Sequence, residues 1–129
     1  MSKILVIEDS PAQRTVIAKF LGNNKFNVTV ANNGADALEQ ISSNRPDLVL
    51  LDIVLPQYNG YEVCRRIKLN PETKDVLVVL CSSKITKADL YWGMKQGANA
   101  YITKPFQPRE LLMTIRDLLQ TDKANELGV

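Results

Sequence analysis

The sequence predicts an α/β protein built as an open, doubly wound sheet of five parallel strands with helices on both faces, a three-layer αβα sandwich. Short apolar runs alternate with segments of helical spacing along the 129 residues. The runs are continuous rather than alternating, which is typical of strands covered on both faces. Turn-forming residues mark the joints, and neither a long linker nor a shift in composition divides the chain. One domain is therefore expected.

The predicted strands are the five apolar runs, at residues 4–7, 26–30, 48–51, 76–80 and 100–102. Apolar residues three or four positions apart indicate helices between and after them: Val16, Ile17, Phe20 and Leu21; Ala37, Leu38 and Ile41; Val63 and Ile67; and Leu111, Leu112, Ile115, Leu118 and Leu119. A fourth helix is expected before Gly97, which suits a left-handed helix end. Five strands thus alternate with five helices.

Composition and charge exclude several classes of function. Sixteen Lys and Arg residues against fourteen Asp and Glu give a net charge of +2 without a basic run, so nucleic-acid binding has no support. No apolar stretch approaches the ~20 residues of a membrane span, and acidic residues come too early for a signal peptide. We therefore expect a cytoplasmic protein without membrane insertion.

The chain contains no histidine and only two cysteines, Cys64 and Cys81. Without histidine, a Ser-His-Asp triad and a role as a phosphohistidine carrier are both excluded. The cysteines are expected to be reduced and buried. Any chemistry must therefore use carboxylates, hydroxyls and lysines.

Reactive side chains directly follow four of the five predicted strands. They are Glu8-Asp9, Asp52, Ser82-Ser83 and Thr103-Lys104-Pro105. The carboxyl ends of parallel strands share one edge of the sheet, where ligands of such folds bind. Taken singly, each group also suits a solvated turn, a helix cap or a surface charge. Their joint occurrence favours a site.

Three carboxylates packed together repel one another unless a cation lies among them. A cluster that offers only oxygen ligands suits Mg²⁺. A carboxylate beside such an ion can attack phosphorus and form an acyl phosphate, while a lysine and a hydroxyl neutralise the phosphoryl oxygens. Asp52 is the expected nucleophile, because it stands alone at the end of a central apolar strand.

From Lys3 to about Leu119 the chain resembles the receiver domain of response regulators in two-component signalling. The resemblance rests on Glu8-Asp9, on residues 50–56 (LLDIVLP) with Gly60, on Ser82, and on Lys104-Pro105-Phe106. It implies the CheY-like variant of the flavodoxin-like fold. It also implies a phosphoacceptor signalling protein rather than an enzyme, one that assists only its own phosphorylation and dephosphorylation.

Carried over residue by residue, the resemblance implies that Glu8, Asp9, Asp52 and the backbone carbonyl of Val54 bind Mg²⁺. Asp52 would take a phosphoryl group from the phosphohistidine of a sensor histidine kinase. The Ser82 hydroxyl would then move onto the phosphoryl group.

In the same way, Lys104 would supply the cation that pairs with the phosphoryl group, and Lys104-Pro105 resembles the cis peptide of the family. Tyr101 matches an aromatic residue whose rotamer reports the state of the domain, although a half-buried strand aromatic would look the same. Val54 and Lys84 occupy the positions that tune the lifetime of the phosphate.

A narrower resemblance covers residues 89–98 and 101–105, which look like receivers of type IV pilus chemosensory systems that govern twitching motility or phototaxis. Within it, Trp92 could equally pack the fourth helix onto the sheet.

The resemblance to receivers also implies a docking face for a downstream protein, formed by the fourth helix, fifth strand and fifth helix. This face lies around Lys87, Tyr91, Lys95, Tyr101, Arg109 and Met113. Residues 1–121 are expected to form the receiver and residues 122–129 a short polar tail, with no output domain.

Several alternatives stay open at this stage. Phosphohydrolases and FMN-binding proteins share related sheets, but the sequence has no glycine-rich phosphate loop. A receiver fold can also serve as an interaction module that never takes phosphate, or as a phosphate sink or intermediate relay protein. The chain could also be a fragment of a larger DNA-binding regulator.

Overall fold

A computed structural model describes residues 1–83 and 86–126, and for residues 123–126 it describes the backbone alone. Within these ranges five strands alternate with five helices: β1 (Lys3–Ile7), α1 (Pro11–Asn23), β2 (Asn27–Ala31), α2 (Gly34–Ser43), β3 (Leu48–Asp52), α3 (Gly60–Leu69), β4 (Leu77–Ser82), α4 (Lys87–Lys95), β5 (Ala100–Thr103) and α5 (Pro108–Glu126). The strands are parallel and lie in the order β2-β1-β3-β4-β5. The predicted doubly wound α/β fold is confirmed.

The core lies in two layers, one on each face of the sheet. Successive side chains of a strand point to opposite faces, so Leu5 of β1 packs with α2 and α3, and its neighbour Ile4 packs with α1 and α5. The strands β3 and β4 are buried along their whole lengths. Of the stripe predicted on α5, Leu111, Ile115 and Leu119 are buried in the second layer and Leu118 packs partly against it, whereas Leu112 is half-buried and lies outside this layer.

The edge strand β2 departs from the prediction. It runs from Asn27 to Ala31 rather than over residues 26–30, and Ala31 is its one buried residue. Because β2 pairs only with β1, one of its sides and much of its face remain open to solvent. The expectation that every strand is covered on both faces is wrong here.

Side-chain caps begin four of the helices immediately after a strand or loop. Ser10, Asn33, Asn59 and Thr86 each accept a hydrogen bond from the backbone N–H three residues later. These caps hold each connection short and regular. They thereby fix the residues at the carboxyl ends of the strands, where the predicted site lies.

The helix α4 packs lightly on the rest of the fold. Gly93 is its one buried residue, and a Cβ there would lie 3.0 Å from Leu80 Cδ1 and 3.2 Å from Tyr101 Cδ2. Trp92 is 53% exposed, so the interpretation that it packs the helix onto the sheet is wrong. The left-handed helix end expected at Gly97 is confirmed by its φ of 95°.

The C-terminal helix is longer than the sequence pattern indicated. Because no proline or glycine interrupts residues 109–127, α5 continues through Glu126 and takes in residues 122–126 of the expected polar tail. Residues 127–129 lie outside the described part of the chain. In that part, no helix combines the length and the apolar character needed to cross a membrane.

Candidate functional site

The ammonium group of Lys104, directly after β5, is the centre of the predicted site. Its Nζ donates to Glu8 Oε1 at 2.5 Å, to Gln13 Oε1 at 2.8 Å and to Asp52 Oδ2 at 3.0 Å. These three acceptors come from the end of β1, the first turn of α1 and the end of β3. The structure therefore brings together groups that are up to 96 residues apart in the sequence.

The three predicted carboxylates lie together beside Lys104. Glu8, Asp9 and Asp52 each offer an oxygen within 4.8 Å of the others, with Glu8 and Asp52 buried and Asp9 exposed. Three carboxylates against one ammonium leave an excess of negative charge at a site that offers only oxygen ligands. This donor set fits a hard divalent cation such as Mg²⁺.

Burial and charge perturb the ionisation of this cluster. Burial raises the pKa of Glu8, and the hydrogen bond from Lys104 offsets that rise only partly. For Lys104, burial acts to lower the pKa, but the hydrogen bonds to Glu8 and Asp52 and the charge of Asp52 act in the opposite direction, and the pKa is raised. Lys104 therefore stays cationic and holds the two acidic side chains together.

The backbone around Asp52 fixes the second oxygen of its carboxylate. Val54 N donates to Asp52 Oδ1 at 3.1 Å, which places the Val54 backbone beside the site, and metal binding by the Val54 carbonyl stays a prediction. Its side chain is 60% exposed and faces the groove described below. Lys84, the other predicted tuning residue, lies outside the described residues.

Ser82 ends β4, and Tyr101 lies in the neighbouring strand β5. Ser82 is buried whereas Ser83 is exposed, and the Ser82 carbonyl accepts from Lys104 N at 2.7 Å. Burial raises the pKa of Tyr101, while hydrogen bonding with Ser82 acts in the opposite direction. The hydroxyl of Tyr61, whose side chain also affects the pKa of Tyr101, donates to the Asp89 carbonyl of α4 at 3.2 Å. Tyr101 and Tyr61 thus lie between Ser82 and α4.

A groove of about 750 Å³ opens beside Asp52 and Lys104. The Lys104-Pro105 peptide bond at its edge is cis, as expected. The groove runs between α1 and the segment after β5, and its other lining residues are Ala12, Gln13, Val16, Ile17, Val54, Ser83, Pro105, Phe106 and Pro108. The buried side chain of Asp52 therefore borders a groove at the surface of the protein.

Comparison with known proteins identifies the family. The family described as response regulator receiver domain matches residues 4–116. The chain belongs to this family. In receiver domains an acidic pocket binds Mg²⁺ and histidine kinases supply the phosphoryl group, so the domain is a signalling phosphoacceptor rather than a classical enzyme.

Two relatives show how far the similarity of this receiver extends. Protein PilH of Pseudomonas aeruginosa is 35% identical over 119 residues, which cover 92% of this chain and 98% of PilH. The DNA-binding response regulator MtrA of Mycolicibacterium smegmatis is 35% identical over 94% of this chain, but the match covers only 52% of MtrA. The chain therefore spans about half the length of MtrA and nearly all of PilH.

Solved structures give the same fold for this receiver. A CheY-like receiver domain protein from Methanospirillum hungatei superposes with a TM-score of 0.89 at 26% identity, covering 97% of this chain and 98% of the other. Chemotaxis response regulator CheY4 of Vibrio cholerae gives 0.86 at 25% identity, covering 91% and 98%. The CheY-like assignment is confirmed.

Two residues of this receiver site were missed by the sequence reasoning. Gln13 lies three positions after Ser10, a spacing typical of a capping box. This pattern predicts that the Gln13 side chain caps the start of α1 rather than contacting Lys104. Tyr61 lies two residues before Val63, at the start of the helix that Val63 and Ile67 indicate. Neither pattern reveals a contact with a residue far along the chain. The signal that could have indicated these contacts is the place of both polar side chains near the predicted edge of the sheet.

Proposed function

We propose that this receiver accepts a phosphoryl group on Asp52 from the phosphohistidine of a sensor histidine kinase and acts in a chemosensory phosphorelay for pilus-based motility. The observation that carries the proposal is the convergence of Glu8, Asp52 and Lys104 beside an open groove. The acceptor carboxylate is held at both oxygens, by Lys104 at Oδ2 and by Val54 N at Oδ1. It is therefore oriented before the donor arrives.

In the transfer step, a carboxylate oxygen of Asp52 forms a bond to phosphorus as the bond from phosphorus to the imidazole nitrogen breaks. The imidazole leaves with the bonding electron pair, so no further reactant is needed. Glu8, Asp9, Asp52 and the Val54 carbonyl would hold Mg²⁺, which when bound offsets the negative charge of the phosphoryl oxygens. Lys104, which donates to Asp52 Oδ2, contributes a further positive charge at the acceptor carboxylate.

The phosphoryl group would then change the surface of the domain. Phosphorylation adds charge and acceptor oxygens at Asp52, which attract the Ser82 hydroxyl and the Lys104 ammonium. Movement of Ser82 would alter its interaction with the Tyr101 side chain, and the ring of Tyr101 packs on Gly93 of α4. The phosphate thereby shifts the population of α4-β5-α5 arrangements that a partner protein can bind.

The proposed docking face on α4, β5 and α5 carries basic and exposed apolar groups. The Lys95 ammonium lies 5.5 Å from the ring centroid of Tyr91, and both Tyr91 and Met113 are more than half exposed. The double substitution of Lys87 and Lys95 by Glu should weaken binding of the downstream partner. Unchanged affinity in a titration with phosphorylated receiver would remove this face from the proposal.

The pilus assignment rests on the PilH relative and on the sequence of α4 and the segment after it. It is tested in the source organism by replacing the gene with an Asp52→Asn copy. Loss of twitching or phototactic movement at normal protein levels would support the assignment. Unaltered movement would contradict a pilus role that depends on phosphate.

The central experiment measures intact mass after incubation with acetyl phosphate, with and without Mg²⁺, beside an Asp52→Asn control. We expect a gain of one phosphoryl group that requires both Mg²⁺ and Asp52. Beryllofluoride binding, followed by Trp92 fluorescence or NMR, provides a second readout that needs no donor chemistry. Failure of both measurements would contradict the proposal and favour a phosphate-independent interaction module.

A further inference from the structure

Lys104 uses all of its hydrogen-bonding capacity in the resting site. An ammonium group has three protons, and the three acceptors around Nζ are Glu8 Oε1, Gln13 Oε1 and Asp52 Oδ2. A phosphoryl oxygen that pairs with Lys104 must therefore displace one of them. We propose that Gln13 is a positioning residue that holds Lys104 between the two carboxylates and is the partner that the phosphoryl oxygen displaces. The displacement of Gln13 rests on the proposed transfer of a phosphoryl group to Asp52, whereas the contact between Gln13 and Lys104 in the unphosphorylated protein does not.

The local structure of the α1 start leaves the Gln13 side chain available for this role. Ser10 caps α1 by accepting from Gln13 N, and in a capping box the Gln13 carboxamide would return to Ser10 N. Instead, Ser10 N donates to Glu8 Oε2 at 3.3 Å. Gln13 consequently extends to Lys104, and its oxygen must face Nζ because an ammonium group cannot accept a hydrogen bond.

The three partners of Lys104 differ in how strongly they retain it. Glu8 and Asp52 are buried carboxylates whose charges attract Lys104. Gln13 is exposed and offers a neutral amide oxygen. Its hydrogen bond with Lys104 is therefore the weakest of the three and the easiest to replace. Gln13 also lines the groove beside Asp52, through which a phosphoryl group would approach.

The resting contact can be tested without phosphate or metal. We expect the Lys104 ammonium protons, assigned by their loss in Lys104→Arg, to exchange slowly with water in an NMR measurement. Gln13→Met keeps the side-chain length but removes the acceptor, and should accelerate this exchange about twofold to tenfold. Gln120→Met is the matched control, because Gln120 is exposed on α5 and about 18 Å along that helix from Pro108. Equal exchange rates in the wild type and Gln13→Met would overturn the inference.

The displacement is tested by the affinity for beryllofluoride in the presence of Mg²⁺. Gln13→Met should raise this affinity about twofold to tenfold, because the resting site loses a bond that the bound state does not contain. Gln13→Glu should lower it, because a charged acceptor retains Lys104 and repels the anion. A purely structural role of Gln13 would move both variants in the same direction.

The outcomes separate this inference from the proposed function. If the wild type binds beryllofluoride and Gln13→Met binds it equally or more weakly, the displacement is wrong although the phosphoacceptor function stands. If the wild type fails to bind, the displacement is wrong, and if it also gains no phosphoryl group from acetyl phosphate, the proposed function fails with it. The proton exchange rates then decide alone whether Gln13 positions Lys104.

Discussion

Gly60, the first residue of α3, allows the helix to approach the end of β3 more closely than any other residue would. A Cβ on Gly60 would lie 2.5 Å from the Asp52 carbonyl oxygen and 2.7 Å from Ile53 Cα. Gly60 N also donates to Ile53 O at 2.8 Å, which holds the two backbones together. The substitution Gly60→Ala therefore forces the backbone apart at Asp52, the proposed phosphoacceptor. Overpacking typically costs 1–3 kcal/mol, and because backbone atoms cannot rotate away we expect about 3 kcal/mol here.

The matched control is Gly22→Ala in α1, where a Cβ would meet nothing within 4 Å. Alanine is the better helix former, so this variant should gain up to about 1 kcal/mol. Urea unfolding measures the free energies of unfolding of both variants. The affinity for beryllofluoride reports whether Asp52 has moved out of position in Gly60→Ala. A Gly60→Ala variant that unfolds like the wild type and binds with wild-type affinity would refute the steric reasoning.

Three further predictions concern residues outside the acidic cluster. Tyr61→Phe should cost about 1 kcal/mol in urea unfolding, because it removes the hydrogen bond to the Asp89 carbonyl, and should shift the amide NMR signals of α4; an unchanged α4 spectrum would contradict the link. Burial raises the pKa of the Cys64 thiol from 9.0 to about 11, so unfolding releases a proton between these pH values and stability falls there by up to about 1.4 kcal/mol per pH unit. Cys64→Ala should show a shallower fall over the same range, and an equal slope would exclude this thiol as the cause. Trp92→Ala should change the free energy of unfolding by less than about 0.5 kcal/mol, since the side chain is mostly exposed, and a larger loss would show that α4 depends on it.

The predictable part of the site is the part that the strands determine. A strand in a parallel sheet ends at the same edge as its neighbours, so the residue after each apolar run has a known place once the order of elements is known. This is why the sequence alone predicts that Glu8, Asp52 and Lys104 lie in one cluster. The register agrees, since Asp52 of β3 pairs with Cys81, the residue before Ser82.

The unpredicted part depends on side chains that reach across helices. Gln13 fits a local capping pattern in the sequence, but Glu8 takes the backbone N–H that this pattern would satisfy. Tyr61 fits a helix face, yet its hydroxyl reaches Asp89, 28 residues away. Such choices between a local and a distant partner are decided by tertiary packing. Periodicity and propensity carry no information about them.

The difference in burial between the sheet and α4 determines which part of this fold can respond to the site. Strands β3 and β4 are buried along their whole lengths, so moving them would disturb close packing on both faces. Helix α4 has one buried residue, Gly93, which packs against the Tyr101 ring, and it accepts a hydrogen bond from Tyr61 at the Asp89 carbonyl. The side chains of Ser82 and Tyr61 both affect the pKa of Tyr101, so both lie close to it. A shift of Tyr101 would therefore disturb the packing of Gly93 and the surroundings of Tyr61 together, while the sheet that holds Asp52 stays in place.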